Sequence, residues 1–449
     1  MLGVRPRIRT MEVVLIIVAV MLNLGLRYVH NFRGHATDVT HFVNADSLRY
    51  CRIACGISKT GRFAFVSNQD VFRLLEHPGE AGRLRVQATA TATDAPLWPF
   101  LLSGMLRLTH YNVREILELR CLIDAATVAL FAYLLLLSGV GFGPRAVALL
   151  LFAANPAWLL YSTALLTEPF TLFIVVSYAV LFARLARSES SARLAALTGV
   201  GGGLVMLEHP FYGLFPIISL LLLYGARIIN RRALAIAIVG ILAIVSPWMI
   251  RNMVVMHAPQ PLISTYDWPT ARSGWNAGIL GSYRNTNWDL ESDRFVPPNE
   301  VLSAGPDEIR LRQLNQRRVF QFLRANWRIV PAIVMRKLVG AITPIPETAR
   351  GGWLEDGRML LQLAAFIPVA FVMFLGIAPK PFRILVVSIM VTNLISSEIT
   401  FPTVRFRFPL IWAEMLAIAL FLDWAARRLR ARSDSRQAPV RDLPDDSPN

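Results

Sequence analysis

Lysine is nearly missing from this sequence: Lys59, Lys337 and Lys380 are the only three in 449 residues, so almost all positive charge is carried by arginine. Cysteine is as scarce. Cys51, Cys55 and Cys121 are too few for a disulfide framework, and Cys51 and Cys55, four apart on one helical face, have poor geometry for a bridge. All three read as small apolar packing residues. Charged residues make up 17% of the chain against 54% hydrophobic ones. That leaves too little polar surface to cover a soluble fold. There is no phosphate-binding glycine loop, serine nucleophile elbow or zinc-ligand spacing, which removes the usual nucleotide, acyl-transfer and zinc chemistries. Neither an internal repeat nor a pair of matched Gly/Pro-broken helices, the marks of many transporters, is visible. The formal net charge of +16 looks like that of a nucleic-acid binder. However, the arginines fall in short clusters between apolar runs rather than along one face, so no nucleic-acid partner is expected.

What remains is a set of apolar runs of membrane-crossing length. The first extends from Met11 to about Val29, after Arg5, Arg7 and Arg9, with no small-residue cleavage site behind it, and reads as an uncleaved anchor. Others lie near 121–139, 145–163, 169–186, 192–207, 211–226, 233–250, 359–376, 382–398 and 408–425. The expected fold is therefore an all-α polytopic membrane bundle of about ten transmembrane helices. Basic residues in short loops mark the cytoplasmic side. Arg145, then Arg184, Arg187 and Arg193, then Arg227, Arg231 and Arg232, then Lys380 and Arg383, share that side with the tail arginines Arg427, Arg428, Arg430 and Arg432 if both termini are cytoplasmic. The scheme requires Leu97–Leu108 and Ile329–Ile342 to be interfacial or re-entrant, in the first and fourth external loops. Those loops, about 30–120 and 251–358, then face the exterior. Residues 1–425 read as the membrane domain, and 426–449 as a tail that is first basic and then, from Ser433, disordered.

Three groups on the external side carry chemistry. Asn44 to Cys55 reads as an interfacial amphipathic helix ended by Gly56, with Leu48, Cys51, Ile53, Ala54 and Cys55 apolar and Arg49 and Arg52 polar. Asp46 in its first turn suits a general base whose pKa apolar surroundings raise; a plain helix cap is the alternative. Glu168 opens a span beside Pro169 and is either a second acid of the same site or a cap. Arg405 and Arg407, set among aromatics in Arg405-Phe-Arg-Phe-Pro409, suit a lipid-anchored phosphate; snorkelling to the interface is the alternative, but the pair breaks the positive-inside trend and so needs a reason to be outside, which favours function. Glu208 and His209 at an external turn fit a proton shuttle, a metal ligand pair or, more simply, a satisfied interfacial pair. Gly201-Gly-Gly203 reads as a close helix-packing site. Asp124 and Glu414 are the clearest ionisable residues inside spans, and Asp124 is expected to pair within the bundle.

In order along the chain, these pieces resemble the GT-C class of membrane glycosyltransferases, in particular bacterial relatives of lipid A aminoarabinose transferase and protein O-mannosyltransferase. The resemblance spans Met11 to about Trp424. It rests on Asp46-x-x-x-Tyr50-x-x-x-Ala54 continuing through Lys59-Thr-Gly-Arg-Phe63, on Ala95-Pro-Leu-Trp-Pro-Phe100 and on Leu166-Thr-Glu-Pro-Phe170. It continues in Ser246-Pro-Trp-Met-Ile-Arg-Asn252, Ser273-Gly-Trp-Asn-Ala-Gly278 and Arg405-Phe-Arg-Phe-Pro409. It implies inverting transfer of a sugar from a polyprenyl-phosphate-linked donor to a lipid, glycan or protein acceptor, at the periplasmic face of a bacterial inner membrane. Asp46 would deprotonate or orient the acceptor hydroxyl and Glu168 would assist. Lys59, Tyr50, Arg251, Asn276, Arg405, Arg407 and His209 would bind substrate. Ser47 follows Asp46 where many relatives carry a second acid, so no tightly bound metal and no cofactor are expected. Glu208-His209-Pro210 replaces the family's Thr-Arg-Pro or Thr-Lys-Gly element, which points to an unusual donor or acceptor. A transporter or flippase of lipid-linked sugars is the alternative.

Overall fold

Apolar faces turned outward mark the surface of this molecule. In the first helix, α1 (Thr10–Phe32), Val13, Val14, Ile17, Val18 and Met21 are exposed on one side. In water such a face would be costly, whereas against lipid tails it is the low-energy arrangement. The computed structural model describes residues 9–32, 39, 43, 45–162, 164–188, 191–276, 307–343, 353–402 and 405–437.

After α1 come α2 (Ala45–Thr60), α3 (Asn68–Glu76) and α4 (Leu97–Leu108). Between them β1 (Ala64–Phe65) and β2 (Thr89–Ala90) pair antiparallel, Ala64 opposite Ala90 and Phe65 opposite Thr89. The bundle continues with α5 (Val113–Ser138), α6 (Phe142–Ala153), α7 (Pro156–Ser162), α8 (Glu168–Leu185), α9 (Ala192–Glu208), α10 (Leu214–Gly225) and α11 (Arg231–Val255). Next come α12 (Asp267–Gly274), α13 (Asp307–Ala325), α14 (Val330–Ile342), α15 (Trp353–Phe374) and α16 (Lys380–Ile399). A 3-10 turn over Arg405–Leu410 leads into α17 (Ile411–Gln437). Among the described residues the architecture is all-α apart from the two short strands.

Among the described residues eight helical stretches are long and apolar enough to cross a membrane. They account for eight of the ten expected runs. The other two fall on α9, of 17 residues, and α10, of 12, joined by a turn at Pro210–Tyr212. At 1.5 Å per residue α10 covers only ~18 Å, short of a hydrocarbon core of about 30 Å. The same arithmetic keeps α4 and α14, of 12 and 13 residues, from crossing, as their interfacial reading requires. α6 and α7 together form one span, broken at Asn155, whose side chain accepts from the Ala157 backbone N–H at 2.9 Å.

Local chemistry explains several boundaries. Asn112 caps α5 by accepting from the Arg114 N–H at 3.1 Å, and Gly139 closes the helix at φ 75°, a left-handed position that suits glycine. Asn230 likewise caps α11 through Ala233 N–H at 2.9 Å. Gly56 does not end α2, contrary to expectation. The helix runs on to Thr60, and Gly61, at φ 72°, follows it. Gly56 serves instead as a contact point: a Cβ there would stand 2.0 Å from the Ala64 carbonyl oxygen. α2 also lacks a solvated polar side. Arg49 and Arg52 are buried with Cys51, Ile53, Ala54 and Cys55, and Arg52 Nε donates to the Val66 carbonyl at 2.7 Å. It is a buried helix rather than a surface one, because both arginines find partners within the protein. α17 continues to Gln437, past Ser433; residues 438–449 of the expected disordered tail lie outside the described residues.

Ion pairs sort the bundle into two ends. Glu12 meets Arg145 at 2.6 Å, and Asp423 accepts from the Gly141 N–H at 3.0 Å, which gathers the start of α1, the α5–α6 turn and α17. The opposite end holds Asp46, Asp94, Glu168 and Arg405. Between the two ends Asp124 is paired with Arg27, as expected for an acid inside a span, and both are fully buried.

Candidate active site

The site end is built by three pieces of chain distant in sequence. Asp46 sits in the first turn of α2, Glu168 opens α8, and Arg405 lies on the 3-10 turn before α17. Arg405 Nη1 donates to Asp46 Oδ2 and its Nε to Glu168 Oε1. A planar guanidinium can serve two carboxylates in this way, whereas an ammonium is a point charge. Arg49, one turn along α2, donates from Nη1 to Asp46 Oδ1 at 2.8 Å and from Nε to Asp94 at 2.8 Å. Its guanidinium also lies over the Tyr266 ring, 4.6 Å from the centroid. The result is a chain of alternating charge, Asp94–Arg49–Asp46–Arg405–Glu168.

Exposure differs sharply along that chain. The side chains of Glu168 and Asp94 are 2% and 8% exposed, whereas Asp46 is 36% exposed and Arg405 21%. Asp46 and Arg405 are therefore the members that an incoming substrate can reach. Burial by itself would raise the Asp46 pKa, as the sequence reading supposed. The guanidinium groups of Arg49 and Arg405 overcome it and hold the carboxyl well below the usual carboxylate range. The expected upward shift is thus reversed by two cations, of which one was counted as the polar side of a surface helix. For Asp94 burial wins over Arg49 and pushes its pKa up.

Glu168 is fixed from behind. The backbone before it is held by Trp98 Nε1, which donates to the Leu165 carbonyl at 3.2 Å, and by Arg120, which donates to the Ala164 carbonyl. Thr167 does not cap α8 with its side chain; it donates instead to Glu208, as does Thr171 at 3.2 Å. Glu168 Oε2 is buried with no hydrogen-bond partner among the described residues. His209 packs edge-on against Tyr212 and Phe406, with ring centroids 5.5 and 5.6 Å away. Burial first, then the nearby Arg405, push the His209 pKa down to about 3, so the ring is neutral at pH 7.

Of the remaining candidates Tyr50 lies beside the chain of charges, and the others do not. Tyr50, one turn beyond Asp46, is buried beside Arg49, with 5.3 Å from the guanidinium carbon to its ring centre. Lys59, thirteen residues along α2 from Asp46, is ~20 Å away along the helix axis and donates to the Ala81 carbonyl. Arg251 spends its donors on the Thr91 and Phe63 carbonyls, at 2.6 and 2.9 Å, tying the strand pair to α11. Asn276 donates to the Ser273 carbonyl at 2.7 Å behind α12; Ala277 and Gly278 of that motif lie outside the described residues. Arg407, two residues from Arg405, turns to the Ile342 carbonyl at 3.0 Å and to Glu414 at 3.5 Å. Asp94 and the bridging role of Arg49 were missed from sequence. Arg49 at three residues from Asp46 shares its helix face, a signal that could have found it. Among the described residues no three His, Cys, Asp or Glu side chains group as a metal site.

No family model and no curated protein matches the sequence. Among solved structures, the archaeal oligosaccharyltransferase AglB from Archaeoglobus fulgidus, in complex with an inhibitory peptide and a dolichol-phosphate, aligns at TM-score 0.54 and 12% identity. The alignment covers 97% of this chain and 52% of AglB, so the chain spans about half the length of that protein. ArnT from Cupriavidus metallidurans bound to undecaprenyl phosphate aligns at TM-score 0.37 and 14% identity, over 97% of this chain and 81% of that one. Its apo state gives 0.36 and 14%, over 95% and 79%. The chain shares the fold of that part of AglB, and Asp46, Glu168 and Arg405 meet at one end of its helix bundle.

Proposed function

We propose that this protein transfers a sugar, with inversion, from a polyprenyl-phosphate-linked donor to a hydroxyl on a lipid, glycan or protein acceptor at the external face of the membrane. The observation that carries the reading is Arg405 bridging the accessible Asp46 and the buried Glu168. The fold shared with AglB, whose structure holds a dolichol-phosphate, supports it.

In this mechanism the acceptor oxygen attacks the anomeric carbon as the bond from that carbon to the phosphate oxygen breaks. Polyprenyl phosphate leaves, and Asp46 takes the acceptor proton. An ionised carboxylate gripped by two guanidinium groups is a weak base. A donor phosphate that engages Arg405 draws one of those cations away, and Asp46 becomes more basic when the donor is in place. Glu168 keeps Arg405 aimed while it changes partner. Arg405, rather than the remote Lys59, is then the cation for the leaving group. The bacterial inner membrane is what the motif resemblance implies, and the arginine pattern of the short loops supports a site on its outer, periplasmic side.

The test is transfer of radiolabelled sugar from a panel of synthetic polyprenyl phosphate donors by purified protein in lipid vesicles, wild type against Asp46→Asn. Acceptor-dependent transfer that disappears in the variant supports the reading. Equal transfer in both removes Asp46 from the chemistry. Well-folded protein that instead moves lipid-linked sugars across the bilayer, with or without Asp46, would make it a flippase.

A further inference from the structure

The segment 307–343 is unusually basic for the site end of the molecule, with seven Arg and one Lys against one Asp and one Glu. Its acids are both engaged or at the helix start: Glu308 accepts from Thr91 at 2.6 Å and from the Ala92 N–H at 3.0 Å, and Asp307 opens α13. Arg312 is consumed by Asp267, at 2.7 and 2.6 Å. Arg310, Arg317 and Arg324 are exposed and carry no ion pair among the described residues. Spaced seven apart, they form one stripe along α13. α14 follows after four residues and shows a different exposed face: Val334, Met335, Val339 and Ile342 are 37–59% exposed, at helical spacing. Trp327, 66% exposed, stands at the junction. The inner face of α14 is pinned to the site end of the α16 span. There Lys337 donates to the Glu398 carbonyl, and Asn393 donates to the Ala341 carbonyl at 3.4 Å.

An arginine stripe, a tryptophan and an apolar face follow one another, anchored where a span leaves the membrane. That is the order of groups met on passing from lipid headgroups into the acyl region. We propose that α13 and α14 form a docking surface for the bilayer itself. The exposed face of α14 is seated among acyl chains, and Arg310, Arg317 and Arg324 bind the headgroups of anionic phospholipids in the leaflet on the site side. Charge complementarity selects the occupant: three exposed guanidinium groups with no ion pair among the described residues suit phosphate, and a leaflet supplies it at the depth that α14 fixes. The surface reaches the site through Glu308, which accepts from the Thr91 hydroxyl and the Ala92 N–H, two residues before Asp94. This inference rests on the membrane reading and is independent of glycosyl transfer.

The experiment is amide hydrogen exchange over 309–325 in wild-type protein in phosphatidylcholine nanodiscs, with and without added phosphatidylglycerol, and with no polyprenyl lipid present. Protection in the anionic discs should be greater by roughly fivefold per arginine engaged, should fall at high salt, and should be lost in R310Q/R317Q/R324Q. Should the triple variant fold poorly, the salt dependence of the wild type decides. Trp327 fluorescence should also be quenched by brominated lipid and lose that component in Trp327→Phe. Equal exchange in both bilayers overturns the proposal. So does protection that appears only when polyprenyl phosphate is added, because the stripe would then read the donor rather than the bilayer.

Discussion

Arg405 joins Asp46 and Glu168 through one guanidinium, although the two acids precede it by 359 and 237 residues. The planar fork is what allows Nε and Nη1 to serve different carboxylates. Arg405→Lys keeps the charge but loses the fork. Transfer activity of this variant should fall about 10²-fold or more, with purified protein of normal thermal stability. Wild-type transfer in Arg405→Lys would remove the bridge from the mechanism.

Asp46 should show its low pKa in the pH profile. Arg49 and Arg405 depress it despite burial, so the carboxylate stays ionised until the pH falls well below the usual range. The profile of kcat/KM, which reports the free enzyme, should therefore have no acid limb from Asp46 near pH 4. In Arg49→Gln one of the two cations is gone, and an acid limb should move up toward the ordinary carboxylate range. An unmoved profile in that variant would contradict the electrostatic coupling.

His209 gives a pH dependence of stability with a definite sign. Its folded pKa, about 3, lies below the ordinary 6.5, so the unfolded chain binds the proton more readily. Stability is then complete above about pH 6.5 and is lost as pH falls from there toward 3, by at most ~1.4 kcal/mol per pH unit. Thermal unfolding in detergent micelles between pH 4 and 7 should show this slope, and His209→Phe should flatten it.

The Arg27–Asp124 pair lies in the bundle interior, with side chains 1% and 0% exposed. Removing one partner leaves a buried charge unpaired, so Asp124→Asn should cost on the order of 3–5 kcal/mol. The double change R27M/D124L should be less damaging than either single one. Melting midpoints of the three variants make the comparison, and a double variant worse than both singles would show that the pair does more than neutralise.

Gly203 faces α11 at very short range: a Cβ would lie 2.7 Å from Ile244 Cβ and 3.1 Å from the Ile241 carbonyl oxygen. Gly203→Ala should destabilise by about 1–3 kcal/mol through overpacking, and Gly203→Val by more. Paired with Ile244→Ala, the alanine variant should recover part of the loss in the same melting assay. No recovery would place the strain elsewhere.

The glycine run illustrates how far sequence could go. Gly201-Gly-Gly203 was legible as a packing site because only small side chains let two helices approach, and Gly202 and Gly203 do meet Pro216 and Ile244 closely. Gly56 was misread because the same residue serves equally as a helix stop or as a contact point, and the choice depended on Ala64 arriving beside it. Lys59 looked like a companion of Asp46 because it shares a motif, yet a straight helix carries it away. Arg251 looked free for a ligand until the strand pair, which no periodicity announced, claimed its donors.

By itself the sequence determined the solvent of this protein. Apolar runs are a local property of the chain, and eight of the ten read from it are helices long and apolar enough to cross a membrane among the described residues. It also singled out Asp46, Glu168 and Arg405, since charges at helix ends beside a membrane need a reason to be there. Only the tertiary structure decided that these three meet, that Arg49 and Asp94 extend the chain of charges, and that Asp46 is held ionised rather than neutral. The physical reason is that a pKa and an ion pair depend on distances of a few ångströms between groups hundreds of residues apart, and such distances are fixed only when the helices pack.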